Sequence, residues 1–274
     1  MDRAHGVSER IERRVTPRGE VQLQRRGDHF EVISNGSFLM ATYNGRSERA
    51  LVRFALAAAR QADSVLIGGL GVGYSLAEAL ATPAVKRVVV VEIEQAIVHW
   101  QQEHFSRFTG PVLDDGRVAV VVADIVEWID GNSDHFDVIC LDVDNGPDWL
   151  VADENGRLYG EDGLRQLGVL LAPGGVLAFW SARRSAAFAA VLQRCFEIVE
   201  EHAAGGEHKV DAERDEVDAE GDKAEGDEMD AGRHGEDVGL HGVDAGLHGV
   251  VARRDEPDYI YLASQPAHEG RVER

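Results

Sequence analysis

An α/β fold, a parallel sheet covered by helices and preceded by a small antiparallel β unit, follows from three observations. Between residues 64 and 180, five short apolar runs alternate with segments of helical periodicity. Those runs are continuously apolar rather than alternating, the pattern of strands buried on both faces of a parallel sheet. Before residue 43 the pattern is different: short alternating runs separated by Gly27-Asp28 and Asn35-Gly36 turns.

Taken in order, residues 16–42 predict the antiparallel unit, with strands over Val21 to Gln24, Phe30 to Ile33 and Ser37 to Thr42. Ser47 is expected to cap a helix that turns Leu51, Val52, Phe54, Ala55 and Ala58 to one side. The strands of the parallel sheet are expected at Ser64 to Ile67, Arg87 to Val91, Val118 to Val122, Phe136 to Leu141 and Val176 to Trp180. Helices are expected between them at Ser75 to Ala81, Gln95 to Phe105, Ile125 to Ile129 and about Glu161 to Leu171, with Pro173-Gly174-Gly175 turning into the fifth strand. Asp258 to Ser264 is rich in aromatic and β-branched residues and reads as a last strand returning to the sheet.

The stretch before that last strand is of another kind. Residues 205–250 hold 15 acidic and 4 basic residues, ten glycines, four histidines and no aromatic residue. A seven-residue unit, Asp237 to Val243, repeats as Asp244 to Val250. Such a segment cannot bury enough apolar surface to offset its ordering entropy and reads as a disordered acidic insertion between the last two strands. His208, His234, His241 and His248 have no scaffold around them, so no metal is expected. The domain organisation is therefore 1–46 for the tail and β-hairpin unit, 47–204 plus 255–266 for the main domain, and 205–254 for the insertion.

The whole chain has 274 residues, 44% hydrophobic, with 49 acidic and 28 basic side chains and a net charge of −21. That charge repels a phosphate backbone and an anionic membrane surface alike, so neither nucleic acid nor membrane is an expected partner. No run approaches the length of a membrane span, and the charged N-terminus lacks the apolar segment of a signal peptide. Cys140 and Cys195 sit in apolar surroundings and read as buried free thiols, which fits a cytoplasmic location.

Candidate site residues cluster where the strands end. The first parallel strand runs into Gly68-Gly69-Leu70-Gly71-Val72-Gly73, whose glycines permit a tight turn and a close ligand approach. The G-x-G-x-x-G dinucleotide template fails, because its third position is Tyr74 or Leu76; Gly69, Gly71 and Gly73 form a G-x-G-x-G turn of the S-adenosylmethionine-binding kind. Glu92, 19 residues after Gly73, ends the second strand and can accept both hydroxyls of a ribose. Asp124 ends the third and can accept from an adenine amino group, or simply cap the following helix. Ile93 and Ile125, next to these carboxylates, complete the expected donor pocket. The fourth strand ends in Asp142-Val143-Asp144-Asn145-Gly146-Pro147, which suits either an amine site or a plain turn. Tyr159 and Trp149 are expected as an aromatic wall beside a sulfonium, or as loop packing.

These residues, in this order, resemble the spermidine synthase family of the Rossmann-like class I methyltransferase fold. The likeness covers most of the chain outside the insertion: the Asn35-Gly36 hairpin unit, the Gly68 to Gly73 loop, Val91-Glu92-Ile93-Glu94, Ala123-Asp124, Leu141-Asp142 and Leu171 to Gly175. It implies that decarboxylated S-adenosylmethionine donates an aminopropyl group to putrescine or a related amine in polyamine biosynthesis. It also implies a homodimer through the N-terminal strands, with Glu92 on the ribose, Asp124 on the adenine and the Asp142 loop at the reaction centre. Departures fall at the amine end. Gly71 stands where the family has an aspartate, and Leu39 where it has a glutamine. The family's Tyr-His-Glu cluster has no clear match around Arg46 to Ala50, where Glu48 is the candidate to stand in. Asn145 takes the place of the second aspartate of D-x-x-D, with Asp144 one residue early.

The expected activity is transfer from an S-adenosyl nucleoside to a small amine, with Asp142, Asp144, Asn145 and Tyr159 at the reaction centre. Loss of the loop aspartate tilts the reading to methyl transfer from S-adenosylmethionine. Aminopropyl transfer from the decarboxylated donor is the alternative. A catalytically silent nucleoside-binding protein that engages a basic partner through the insertion is the third reading.

Overall fold

The computed structural model describes residues 8–150, 153–204 and 257–265. The chain begins with four antiparallel strands in the order β1-β2-β3-β4: β1 (Glu9–Thr16), β2 (Gly19–Arg26), β3 (His29–Ser34) and β4 (Ser37–Ala41). Three of these are the expected strands. β1 is an addition: Glu9 to Thr16 is mostly charged, and its two apolar side chains, Ile11 and Val15, are exposed, so its pattern marks no buried face. It is a strand because β2 supplies its ladder, reinforced by the cross-strand pairs Arg13–Glu20 and Arg25–Glu9.

Helix α1 (Arg46–Ala58) follows and buries Ala50, Leu51, Val52 and Ala55. Its N-cap is Gly45, not Ser47, and no side chain caps it; Ser47 lies within the first turn and donates to Glu48 Oε2 at 3.0 Å. A methyl on Gly45 would run into the Tyr74 ring, so this close approach, rather than a capping hydroxyl, decides where the helix starts.

The main sheet has seven strands in the order β10-β11-β9-β8-β5-β6-β7. Its parallel part is β5 (Ser64–Gly68), β6 (Arg87–Glu92), β7 (Val118–Val122), β8 (Phe136–Leu141) and β9 (Leu171–Ser181). β9 starts earlier than expected, since Leu171 already pairs with Phe136 ahead of the glycine turn. β10 (Ile198–Ala204) and β11 (Asp258–Ser264) then add as an antiparallel pair, β11 lying between β10 and β9. The acidic insertion, expected in the connection between the last two strands, lies outside the described residues.

Two apolar layers cover the sheet. One gathers Val65, Ile67, Val88, Val90, Val138 and Cys140 with α1 and with α2 (Tyr74–Ala81). The other gathers Leu66, Ile139, Leu141 and Phe179 with α5 (Ile125–Gly131), α7 (Glu161–Val169) and α8 (Ala186–Cys195). The expected helix over Gln95 to Phe105 is α3 (Gln95–Trp100), a π turn (Gln101–Phe105) and α4 (Ser106–Thr109). The wide turn keeps Trp100, Gln101 and Phe105 all buried while the Trp100 indole N–H reaches Glu12 on β1. Cys140 is buried as expected; Cys195 is only half-buried, and both are free thiols. Among the described residues no helix is long and apolar enough to cross a membrane.

Candidate functional site

Parallel strands place their carboxyl ends along one edge, and the expected site residues meet there. β5 delivers the glycine loop, in which Gly69, Gly71 and Gly73 have φ of 87°, 54° and 99°. Gly69 is a glycine for two reasons. Its positive φ disfavours a side chain, and an added methyl would collide with the carbonyl of Asp142, where the β8 loop crosses. Met40 of β4 stands over Gly71, its sulfur 3.8 Å from where a β-carbon would sit.

Glu92 at the end of β6 is buried, 6% exposed. Its Oε2 accepts the Leu70 N–H and its Oε1 the Glu94 N–H, both at 2.8 Å, so it binds the glycine loop to the end of β6. Burial pushes its carboxyl up from the ordinary range, and the amides of Glu94, Leu70 and Gly71 pull it partly back. With three amides on two oxygens, one acceptor direction of the carboxylate remains for a hydroxyl. Asp124 at the end of β7 caps α5, Oδ1 accepting the Val126 N–H at 2.8 Å, while Oδ2 lies 3.4 Å from Arg18 Nη2. The capping role weighed from sequence is thus present in the fold. Ile125 is buried with its Cγ1 facing Gly68, and Ile93 is half-buried beside Glu92.

The β8 loop supplies the other half. The Asp142 N–H donates to Gly68 O at 3.0 Å. Asp144 is 6% exposed; Asn155 donates to its Oδ1 at 3.1 Å, and the Tyr159 hydroxyl to its Oδ2 at 3.4 Å. Tyr159 is buried against Phe179 and Phe188. Burial, then the charges of Asp144 and Asp142, hold its phenol well above the ordinary value, so it stays a donor. Asn145 is held through its backbone, its carbonyl accepting the Ala182 N–H at 3.0 Å. Trp149 is 45% exposed with the Arg183 guanidinium 5.5 Å over its ring. Trp149 thus lies at the surface, whereas Tyr159 is buried.

Two further carboxylates face Asp142. Its acid form is favoured far beyond the usual carboxylate range, first by burial and then by the negative charges of Glu48, Asp258 and Asp144. Glu48, on the first turn of α1, is raised chiefly by burial as well, with Asp258 adding to it. Asp258 was not singled out from the sequence. β11 runs antiparallel to β9, with Tyr259 opposite Ser181, so its first residue falls at the carboxyl edge of the parallel strands. The direction of that strand was the missing signal.

With the fold and this geometry in hand, comparison with known proteins gives the family. The Spermine/spermidine synthase domain family matches residues 46–185, just over half of the chain. The chain belongs to that family. A polyamine aminopropyltransferase of Mycobacterium tuberculosis is 30% identical over 189 residues, covering 62% of this chain and 35% of the relative. Another, of Aeropyrum pernix, is 33% identical over 128 residues, covering 46% and 40%. The chain thus spans about a third of the length of the mycobacterial relative. A spermidine synthase in complex with the transition state analogue AdoDATO superposes with a TM-score of 0.62 at 18% identity, covering 72% of this chain and 68% of that one. The Thermotoga maritima spermidine synthase gives 0.60 at 17%, covering 72% and 67%. The fold is that of the spermidine synthases, a class I methyltransferase-like sheet with an N-terminal antiparallel unit, as the resemblance implied.

Proposed function

We propose that this protein is an aminopropyltransferase that takes decarboxylated S-adenosylmethionine as donor and a polyamine as acceptor. The observation that carries it is the convergence of Glu48, Asp144 and Asp258 on Asp142, whose backbone crosses Gly69 of the glycine loop. Carboxylates that repel one another in a partly desolvated pocket call for a cationic ligand, and an amine with more than one ammonium group offsets them best. The relatives named above are aminopropyltransferases, and this displaces methyl transfer, which the loss of the loop aspartate had favoured. The silent-scaffold reading rested on Asn145 and the insertion. Asp144, buried and oriented beside Asn145, removes half of its basis.

In this reading the donor nucleoside lies along Gly69, Gly71 and Gly73, with Glu92 on the ribose, Asp124 on the base, and Ile93 and Ile125 against it. The sulfonium then points toward the β8 loop. A neutral acceptor nitrogen attacks the propyl carbon attached to sulfur. The nitrogen–carbon bond forms as the carbon–sulfur bond breaks, and its electron pair stays on sulfur, leaving neutral methylthioadenosine. The extra proton on nitrogen passes to Asp144. An amide could not take it, so Asp144 rather than Asn145 is the base. Asp142, Glu48 and Asp258 hold the remaining ammonium groups, and alignment supplies most of the acceleration. The proposal includes a homodimer through the N-terminal sheet, which sedimentation velocity tests.

The deciding assay offers intact and decarboxylated S-adenosylmethionine in parallel, each with putrescine. Methylthioadenosine and an amine heavier by one aminopropyl group should form only with the decarboxylated donor. A methylated amine from the intact donor, or no turnover with either, would overturn the proposal.

A further inference from the structure

The turn between β1 and β2, Thr16-Pro17-Arg18-Gly19, belongs to the N-terminal sheet yet reaches the nucleoside corner of the main one. Thr16 Oγ1 donates to Glu94 Oε1 at 3.1 Å, and Arg18 Nη2 lies 3.4 Å from Asp124 Oδ2. The turn is braced from beneath. Asn35, at φ 50° in the β3–β4 turn, donates its Nδ2 to the Arg18 carbonyl at 3.1 Å and accepts the Glu20 N–H on Oδ1 at 2.8 Å. The Arg18 N–H donates to Thr16 Oγ1 at 3.2 Å. Gly19, at φ 115°, leaves room for Asn35, because a methyl there would collide with the amide oxygen. Arg18 is therefore delivered by a preorganised arm, unlike an arginine on a loose surface loop.

What it is delivered to decides its role. Asp124 spends Oδ1 on capping α5, so Oδ2 is the oxygen open to an incoming base, and that is the oxygen facing Arg18. The pair is long, and the Arg18 side chain is 44% exposed, so solvent screens it and a ligand can displace it. A carboxylate alone rewards a 6-amino group and repels a 6-oxo group. A guanidinium on the same oxygen competes with the amino group and offers N–H donors that an oxo group can accept from.

We propose that Arg18 is a specificity-determining residue of the nucleoside end, where it competes with a purine 6-amino group for Asp124 and so broadens the accepted bases to include 6-oxo purines. This rests on the reading of Asp124 as the base contact. The feature responsible, the arm braced by Asn35, Thr16 and Gly19, lies outside the residues that contact the donor in that reading.

The test is calorimetric titration of the wild-type protein, Arg18→Ala and Arg18→Gln with 5′-methylthioadenosine and 5′-methylthioinosine. Thermal unfolding of each variant verifies the fold. Wild type should bind both nucleosides. Arg18→Ala should sharpen the preference for the 6-amino compound by about three- to tenfold, chiefly by tightening it. Arg18→Gln should lie between, and Asp124→Asn should flatten the preference. An unchanged ratio, or equal weakening of both ligands, would mean that Arg18 is merely structural and would overturn the inference. Binding of neither nucleoside by wild type would instead overturn the donor-site reading beneath it.

Discussion

Tyr159 points its hydroxyl at Asp144 Oδ2 across 3.4 Å, at the end of an aromatic stack with Phe179 and Phe188. The phenol is kept protonated by its burial and by the carboxylates it faces, so its O–H donates to the Asp144 carboxylate. Asn155 donates to the other oxygen of the same carboxylate at 3.1 Å. Asp144 thus has its plane fixed by two side chains from beyond the loop that carries it. In the proposed reaction, a carboxylate oriented in this way receives the proton of the attacking amine along one direction.

Removing that orientation should lower kcat while leaving donor affinity alone. Tyr159→Phe keeps the ring packing and loses one hydrogen bond, so kcat should fall about fivefold, equivalent to roughly 1 kcal/mol. Asp144→Asn removes the acceptor itself and should cost about a hundredfold or more. Asn145→Asp, by contrast, should rescue little in the Asp144→Asn background, because residue 145 is held through its backbone carbonyl. Steady-state kinetics with methylthioadenosine release as the readout separates these outcomes.

Stability should fall as pH rises above the ordinary carboxylate range. Asp142, Glu48 and Glu92 have their carboxyl groups raised in the fold, so the native state keeps protons that the unfolded chain has lost. Between the unfolded and folded values stability drops with increasing pH. Asp115, held down to about 2 by Arg117, acts in the other direction: its contribution is present above its unfolded value and is lost in acid. Maximum stability is expected on the mildly acidic side of neutrality. Asp142→Asn should raise the melting temperature at pH 8 by about 2–4 °C, on the order of 1 kcal/mol, and change it little at pH 4. A melting temperature lowered by this substitution at pH 8 would remove the like-charge argument.

Glu92→Gln tests the donor half. Glutamine can still accept on one oxygen, but its amide NH₂ faces the backbone N–H of Leu70 or Glu94, two donors opposed where the carboxylate satisfied both. Methylthioadenosine affinity should fall by about 1–3 kcal/mol, with acceptor KM unchanged. A matching loss of acceptor affinity would show that the substitution had disordered the glycine loop generally.

The parallel core was legible because each of its strands is a local apolar run: Val65 to Ile67, Val88 to Val91 and Val138 to Leu141 are buried whichever neighbour pairs with them. β1 and β10 were not, because Glu9 to Thr16 and Ile198 to Ala204 are half polar and become strands only through a partner. The same division holds at the site. Gly69, Glu92, Asp124 and Asp142 follow directly from where a strand ends. Ser47 lost the capping position to a contact between Gly45 and Tyr74, which are distant in sequence. Arg18 meets Asp124 only when two sheets come together, and Asp258 reaches Asp142 only because its strand runs against the others.

Asp258 is therefore the sharpest check on the acceptor pocket. It enters from the far side of the acidic insertion, paired with Ala204 across the two last strands, and its charge adds to those of Glu48 and Asp142. Asp258→Asn keeps the size and removes one negative charge. It should raise the acceptor KM, more for a triamine than for a diamine, because the longer molecule carries the extra ammonium that a further carboxylate pairs with. About three- to tenfold is expected for the triamine, with weakened dependence on salt. Donor affinity and kcat should hold, since in the proposed reading Asp258 serves the acceptor ammonium and not the donor nucleoside. Acceptor binding should also release fewer protons in the variant, because without the charge of Asp258 the carboxyl groups of Glu48 and Asp142 are raised less and have fewer protons to give up to the arriving cation. Calorimetry in two buffers of different ionisation enthalpy reads this directly. Unchanged proton release together with unchanged triamine KM would place Asp258 outside the acceptor site.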